Sequence, residues 1–183
     1  MTQLGIWAIG VGTVFGAGSL LLLSAPAAAA RALAAFPRNV WVGRVLAAAA
    51  LAWSAWLAWD MPMGFVDAYK QWLYVLTPLV YLLVVWLMDE MLAARAFGGL
   101  LLLVAEPVLA AARQPGLSDW RLTLVGLVYI WVVAGMALVL GPYWFRKTAE
   151  VMCRSEDRSR MAGAVGLAIG ILLVVLGPTV LAR

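Results

Sequence analysis

The residue with the clearest chemical potential is Glu106, a carboxylate inside an apolar run long enough to cross a membrane. A charged side chain at the bilayer centre costs about 2.5–3.5 kcal/mol on insertion scales, so such residues are functional candidates by default. Pro107 follows directly and removes one backbone hydrogen-bond donor, which favours a kink or a water pocket. Arg113 shares the helix face of Glu106, and Arg121 is a second candidate partner for the carboxylate.

Two roles fit Glu106. In the first it relays protons or cations, and in the second it is neutral or paired and holds helices together by hydrogen bonding. The structural role is favoured, because a transport path needs several polar side chains along it and the apolar segments contain few. Those few are Thr13, Ser19, Ser54, Thr77 and Thr123.

A second charged group is formed by Asp89 and Glu90, with Arg95 close behind. Adjacent residues point apart on a helix, and the chain has no histidine, so a catalytic metal site is poorly supported. A charge cluster at a helix end, facing Arg95 or a partner subunit, is the favoured interpretation. No nucleotide-binding or nucleophile motif is present either, so the sequence predicts a non-catalytic protein without a cofactor.

Six apolar segments must position these residues. Of all residues 66% are hydrophobic and 12% are charged, whereas soluble domains have about 45–50% apolar residues. Since a spanning helix needs about 20 apolar residues, six of them fill nearly the whole chain. The prediction is an all-α polytopic membrane protein, one integral domain over 1–183, with no nucleic-acid partner. The predicted segments are Leu4–Ser24, Val40–Trp59, Gln71–Met88, Ala93–Ala112, Trp120–Leu140 and Met161–Leu181.

The basic residues predict the orientation of the chain. Nine of the 13 Lys and Arg residues belong to the first, third and fifth loops, and four lie on the opposite side. Cytoplasmic loops carry an excess of basic residues, so these three loops are predicted inside and both termini outside. The first segment has no positive charge before it and is long for a signal peptide, so we count it as a membrane helix.

Two parts of the chain share one order of features: an apolar helix, a proline, a basic stretch, a glycine and a second helix. These units cover residues 4–59 and 120–181, and a hairpin at 71–112 links them. Because both basic loops lie on one side, the units are predicted to be parallel repeats. The alternative is that any basic hairpin between two apolar helices shows this order.

The C-terminal unit carries a more specific pattern. A run from Val128 ends in Tyr143-Trp-Phe-Arg-Lys, a polar turn runs from Ser155 to Arg160-Met-Ala-Gly163, and an apolar run starts at Ala168. This stretch of about 50 residues resembles the small two-helix bacterial inner-membrane proteins of the YjeT type. The resemblance implies a bacterial inner-membrane location. The family has no established activity, so it implies no role for any residue.

Glycines four residues apart mark predicted helix contacts. Small residues at this spacing let two backbones approach closely, and such packing replaces the hydrophobic force that is missing in lipid. The pairs lie in the first and last apolar segments: Gly12 and Gly16, and Gly166 and Gly170.

The basic loop 143–160 is predicted to form a helix on the membrane surface. Phe145, Ala149 and Met152 fall on one face at near-helical spacing, as in an interfacial helix. The basic residues elsewhere around this helix are Arg146, Lys147 and Arg154.

Two functions from different classes follow. The first is an accessory or scaffold subunit, in contact with the lipid bilayer and with other membrane subunits or further copies of itself. The second is a small channel or a proton- or cation-coupled transporter built around Glu106. Several converging polar groups would favour the second function, and long exposed apolar faces would favour the first.

The topology is testable by cysteine labelling. We expect cysteines introduced in the 143–160 loop to be protected from a membrane-impermeant maleimide in intact cells, because the basic loops are predicted inside. Labelling of that loop from outside would contradict the predicted orientation.

Overall fold

A computed structural model describes residues 2–61, 67, 70–87, 91–114, 119–152 and 155–179, which form helices and turns with no strand among them. Six helices are long and apolar enough to cross a membrane, which confirms the predicted all-α polytopic fold. A short 3-10 turn occupies residues 36–38. The α-helices within these ranges are α1 (Gln3–Ser24), α2 (Pro26–Ala35), α3 (Val40–Asp60), α4 (Leu73–Leu87), α5 (Leu92–Ala112), α6 (Arg121–Leu140), α7 (Tyr143–Met152) and α8 (Glu156–Thr179).

Local capping chemistry explains where α8 begins. The sequence predicted a start at Met161, whereas the helix starts at Glu156. The Ser155 hydroxyl accepts a hydrogen bond from the backbone N–H of Arg158 at 3.3 Å and so satisfies one free donor of the first turn. Glu156 and Asp157 occupy that first turn, where the positive end of the helix dipole stabilises carboxylates.

Two of the loops contain a short helix, and the two short helices contact each other. The helix α7 lies in the loop that the sequence predicted to be an interfacial helix, and α2 was not predicted as a helix. Its alanine run and its proline in the first turn are nevertheless typical of a helix start. The two predicted repeat units thus share the order long, short, long helix, and their relation as repeats stays a prediction. We call this end of the bundle the short-helix end.

The helices α1 and α8 form the most extensive pair in the described parts of the chain. A β-carbon added at Gly12 would lie 2.8 Å from the Gly170 carbonyl oxygen, and one at Gly170 would lie 2.8 Å from the Gly12 carbonyl oxygen. The backbones therefore touch, and no side chain fits between them. Small residues recur every seven positions, the spacing that keeps one seam facing its partner. The facing pairs are Gly5 with Gly177, Gly12 with Gly170, and Ser19 with Gly163.

The helix α5 connects the rest of the bundle, since it packs on α6, α3 and α1. Its contact with α6 repeats the backbone approach of the first pair. A β-carbon at Gly98 would lie 2.7 Å from the Gly135 carbonyl oxygen, and one at Gly135 would lie 3.0 Å from that of Gly98. The helix α3 packs on another face of α5. A β-carbon added at Gly43 of α3 would lie 2.9 Å from the backbone nitrogen of Ala93.

One apolar core joins the α1–α8 pair to the α5–α6 pair. Its buried residues come from the first half of α1 and α6 and from the last half of α5 and α8, so the core lies away from the short-helix end. Leu4, Val108, Leu124 and Val128 are its most deeply buried larger side chains, with at most 1% of each exposed. Towards the short-helix end this four-helix core stops.

Large apolar side chains cover the outside of the bundle. None of the residues of α4 is buried, and Trp86 at its end is 84% exposed. Since apolar side chains on this scale are stable only in lipid or against another chain, the surface agrees with a multi-pass membrane protein.

The contact between α1 and α8 can be tested with neighbouring glycines. Gly12→Ala should lower the thermal stability in detergent, because overpacking against a backbone carbonyl costs about 1–3 kcal/mol. Gly16→Ala is the matched control, since a β-carbon at Gly16 has no atom within 4 Å. The sequence assigned Gly16 to the same contact, but only its backbone faces Gly170, so the control should keep the wild-type melting temperature. Equal melting temperatures for both variants would contradict this packing.

Adjacent glycines on α5 give an independent test of its contact with α6. Gly98→Ala should destabilise the bundle because its β-carbon would collide with the Gly135 carbonyl group. Gly99→Ala should be neutral, since its β-carbon direction is open for at least 4 Å. Thermal unfolding of the two variants in the same detergent would measure the difference, and a loss of stability at Gly99 alone would refute the assignment.

Candidate functional site

An apolar cavity of about 630 Å³ lies at the short-helix end, where the four-helix core stops. The last half of α1 forms one wall with Gly18, Leu21 and Leu22, and Phe97 of α5 contributes to another. The short helices α2 and α7 form further walls, and the cavity stays partly open to its surroundings. Its volume is within the range of about 300–1,000 Å³ that is usual for ligand sites.

Each short helix turns one apolar face to the cavity. Ala29, Ala32 and Phe36 face it from α2 and the turn after it, at the spacing of neighbours on one helix face. From α7 the cavity receives the three residues that the sequence placed on one apolar face: Phe145, Ala149 and Met152. Among the residues that the structure describes, the lining is nearly wholly apolar and offers no group for acid–base or metal chemistry.

Three aromatic rings hold the short helices against the bundle. Phe36 packs edge-on against Phe97 of α5, with 5.8 Å between the ring centroids. Its ring also packs in a tilted arrangement against Phe145 of α7, with 5.2 Å between the centroids. Such pairs stabilise by about 0.5–1.5 kcal/mol beyond the buried area. Phe36 therefore ties the first basic loop to the last one, although the two are more than 100 residues apart in the sequence.

The opposite faces of the same two helices carry arginines. Arg31 and Arg38 from the first loop and Arg146 from α7 line one cleft together with Ala149 and Glu150. Arg38 and Arg146 also line a second cleft next to it. The first cleft and the apolar cavity share Ala149, so this alanine lies at the boundary between the basic and the apolar side.

The charges around this arginine cleft are only partly compensated. Arg146 forms an ion pair with Glu150 at 3.3 Å, and both side chains are more than half exposed. Exposed pairs of this type stabilise by about 0–1 kcal/mol, so the arginine remains available to another anion. Lys147 instead lies over the ring of Trp144, at 5.0 Å from its centroid. Arg154, the third predicted basic residue of this loop, lies outside the described residues.

Glu106 lies elsewhere, on an exposed face of α5. At 1.5 Å rise per residue it is about 6 Å from the helix midpoint, and so at the depth of the hydrocarbon core. Among the residues that the structure describes, it makes no hydrogen bond or ion pair. The carboxylate thus faces outwards rather than into the bundle.

The two predicted partners of Glu106 lie at the end of α5 and the start of α6. Arg113 is exposed, and Arg121 donates a hydrogen bond from Nη1 to the Gln114 carbonyl oxygen at 3.4 Å. Neither forms an ion pair with Glu106 in the described chain.

The remaining predicted site residues belong to the helix contacts. Gly12 and Gly170 face each other, and a β-carbon at Gly166 would collide with the Ser19 hydroxyl oxygen. The backbone nitrogen of Gly16 would lie 2.9 Å from a β-carbon added at Gly170. Asp89 and Glu90, the predicted charge pair, lie outside the described residues.

No known protein family, characterised protein or solved structure matches the chain. The resemblance of the C-terminal unit to the YjeT type therefore stays a prediction.

The sequence did not predict the cavity or the aromatic cluster that lines it. The available signal was the first loop, where Ala29, Ala32, Leu33 and Phe36 fall on one helix face while Arg31 and Arg38 fall elsewhere. This is the same division between an apolar and a basic face that the sequence showed in the last loop.

Proposed function

We propose that this protein is a non-catalytic integral membrane subunit that assembles with other membrane chains through the face of α5 that carries Glu106. The observation behind the proposal is the exposed carboxylate at hydrocarbon depth. Left in lipid, a charged side chain there costs about 2.5–3.5 kcal/mol. A hydrogen-bond donor from a neighbouring chain, a second copy or a different subunit, would remove that cost.

The packing of α5 supports the same conclusion. Its opposite faces are filled by α1, α3 and α6, with Ala105 and Val108 deeply buried on either side of Glu106 in the sequence. The carboxylate therefore has one direction left, away from its own chain. Interhelical hydrogen bonds of this kind hold transmembrane helices together, and small residues near them allow close approach. Ala110, one turn further on the same face, is such a residue.

The apolar surface of α4 also fits a subunit role. The helix contacts the bundle chiefly through α3, and all its residues stay at least partly exposed. Such a face is suited to lipid or to a partner helix.

Within the described ranges, the polar groups do not converge as the transporter alternative requires. The hydroxyl groups of Thr13 and Ser54 donate to carbonyl oxygens of their own helices, at 2.8 Å in both cases. The large cavity is apolar and reaches α5 at Phe97, nine residues before Glu106. A proton or cation path would need polar liners between these points.

We infer a bacterial inner membrane from the resemblance of the C-terminal unit to the YjeT type. We place the short-helix end in the cytoplasm and both termini outside, because the basic residues concentrate at that end. Arg31, Arg38 and Arg146 support this orientation, since arginines at the cytoplasmic surface interact with anionic lipids.

The role of Glu106 is testable by two substitutions with different chemistry. Glu106→Gln keeps size and hydrogen bonding, so the assembly extracted in mild detergent should keep its mass. Glu106→Leu leaves the partner's polar group unpaired and should weaken the assembly by about 1–3 kcal/mol, measured by native mass spectrometry across dilution. The proposal is wrong if the wild-type chain and both variants are monomers. It is also wrong if both variants assemble like the wild type.

Site-specific crosslinking provides the matched control. A photoreactive residue at Ala110 should form an adduct with the partner, and the adduct should be reduced by Glu106→Leu. The same residue at Ile130, which is 68% exposed on α6, should give no such adduct. A reconstituted chain that conducts protons or cations, and loses this flux in Glu106→Gln at unchanged stability, would decide for the transporter instead.

A further inference from the structure

We infer that the short-helix end is a binding site for one anionic glycerophospholipid of the surrounding leaflet. The apolar cavity would receive acyl-chain carbons, and the arginine cleft would receive the phosphate group. The inference is independent of the proposed partner surface, because Glu106 belongs to neither the cavity nor the cleft.

The apolar cavity is suited to acyl chains. Its lining is almost entirely apolar, with Leu21, Leu22, Phe97 and Met152 among the side chains. Water has too few hydrogen-bond partners there, because a bound water needs two to four polar groups. An empty space of this size would forfeit the dispersion contacts of every side chain around it. Within a bilayer the available apolar filler is an acyl chain.

The arginine cleft is suited to the lipid headgroup. Lipid tails are as apolar as leucine, so the cavity by itself does not select one lipid over another. Selection falls to the charges of the cleft, where Arg31, Arg38 and Arg146 outnumber the single carboxylate of Glu150. Guanidinium groups bind phosphate oxygens in a bidentate geometry. The charge of the cleft therefore complements an anionic headgroup and not a zwitterionic one.

The apolar cavity and the arginine cleft meet at one residue. Ala149 lines both the cavity and the cleft, on a helix whose Met152 faces the cavity and whose Arg146 faces the cleft. A lipid that passes over the small Ala149 side chain would place its phosphate at the arginines and its chains against the phenylalanine cluster. A larger side chain at this position would separate the two compartments.

The experiment compares two lipids with identical chains. Dioleoylphosphatidylglycerol and dioleoylphosphatidylcholine are titrated against the purified full chain in a nonionic detergent, and bound lipid is counted by native mass spectrometry. We expect one phosphatidylglycerol to bind about tenfold more tightly than phosphatidylcholine, because both lipids carry the phosphate but only phosphatidylcholine brings a quaternary ammonium group next to the arginines. The preference should shrink as salt is raised, because exposed charges are screened. Equal affinity for the two lipids would overturn the inference.

Variants separate the cleft from the cavity. Arg38→Gln and Arg146→Gln, singly and together, should reduce the phosphatidylglycerol affinity towards that of phosphatidylcholine. Arg113→Gln, an exposed arginine outside the cleft, should not. Retention of the full preference in the double variant would overturn the assignment of the phosphate to these arginines.

A second pair of variants tests the cavity. Ala149→Leu should lower the affinity for phosphatidylglycerol about tenfold, because the larger side chain blocks the path between cleft and cavity. Ala27→Leu, on the exposed side of α2, should leave the affinity unchanged. Unchanged affinity in Ala149→Leu would mean that the lipid binds on the surface alone, and would overturn the role of the cavity. Free glycerol 3-phosphate should not compete at equal concentration. Full competition would show a small-anion site, and would overturn the assignment to a lipid.

Discussion

The architecture depends on backbone-to-backbone contact between glycine-bearing helices. In lipid, side chains gain little by leaving one apolar surroundings for another, so helices associate where their backbones approach most closely. Gly12 and Gly170 give α1 and α8 such a contact, and Gly98 and Gly135 give it to α5 and α6. The first pair joins the first and the last of the described helices.

Close contact at the glycines also shapes the rest of the molecule. The two tight pairs are joined by an apolar core on one side of the membrane, and on the other side that four-helix core stops. The space between them at the short-helix end is bridged by α2 and α7, which Phe36 links to each other and to α5. A cavity with an apolar inside and a basic outside is the direct consequence, because both short helices are amphipathic.

The carboxylate of Glu106 fits the same architecture from outside. The buried faces of α5 are used for packing within the chain, and the exposed face that carries Glu106 is the one proposed for contacts with other chains. The arginine cleft and the Glu106 face lie at different heights of the bundle. The proposed lipid site and the proposed partner surface therefore do not overlap.

The sequence by itself determined the number of the membrane helices and, apart from the start of α8, their approximate limits, because runs of about 20 apolar residues have one stable conformation in lipid. It also identified the glycines of α1 and α8 as a packing signal and the apolar face of α7. Only the tertiary structure decided which glycines touch: Gly16 points its β-carbon direction to open space although its spacing from Gly12 suggested otherwise. The sequence predicted neither the outward direction of the Glu106 side chain nor the existence of the cavity. Both depend on how helices distant in the chain are placed around α5, and local periodicity carries no information about that placement.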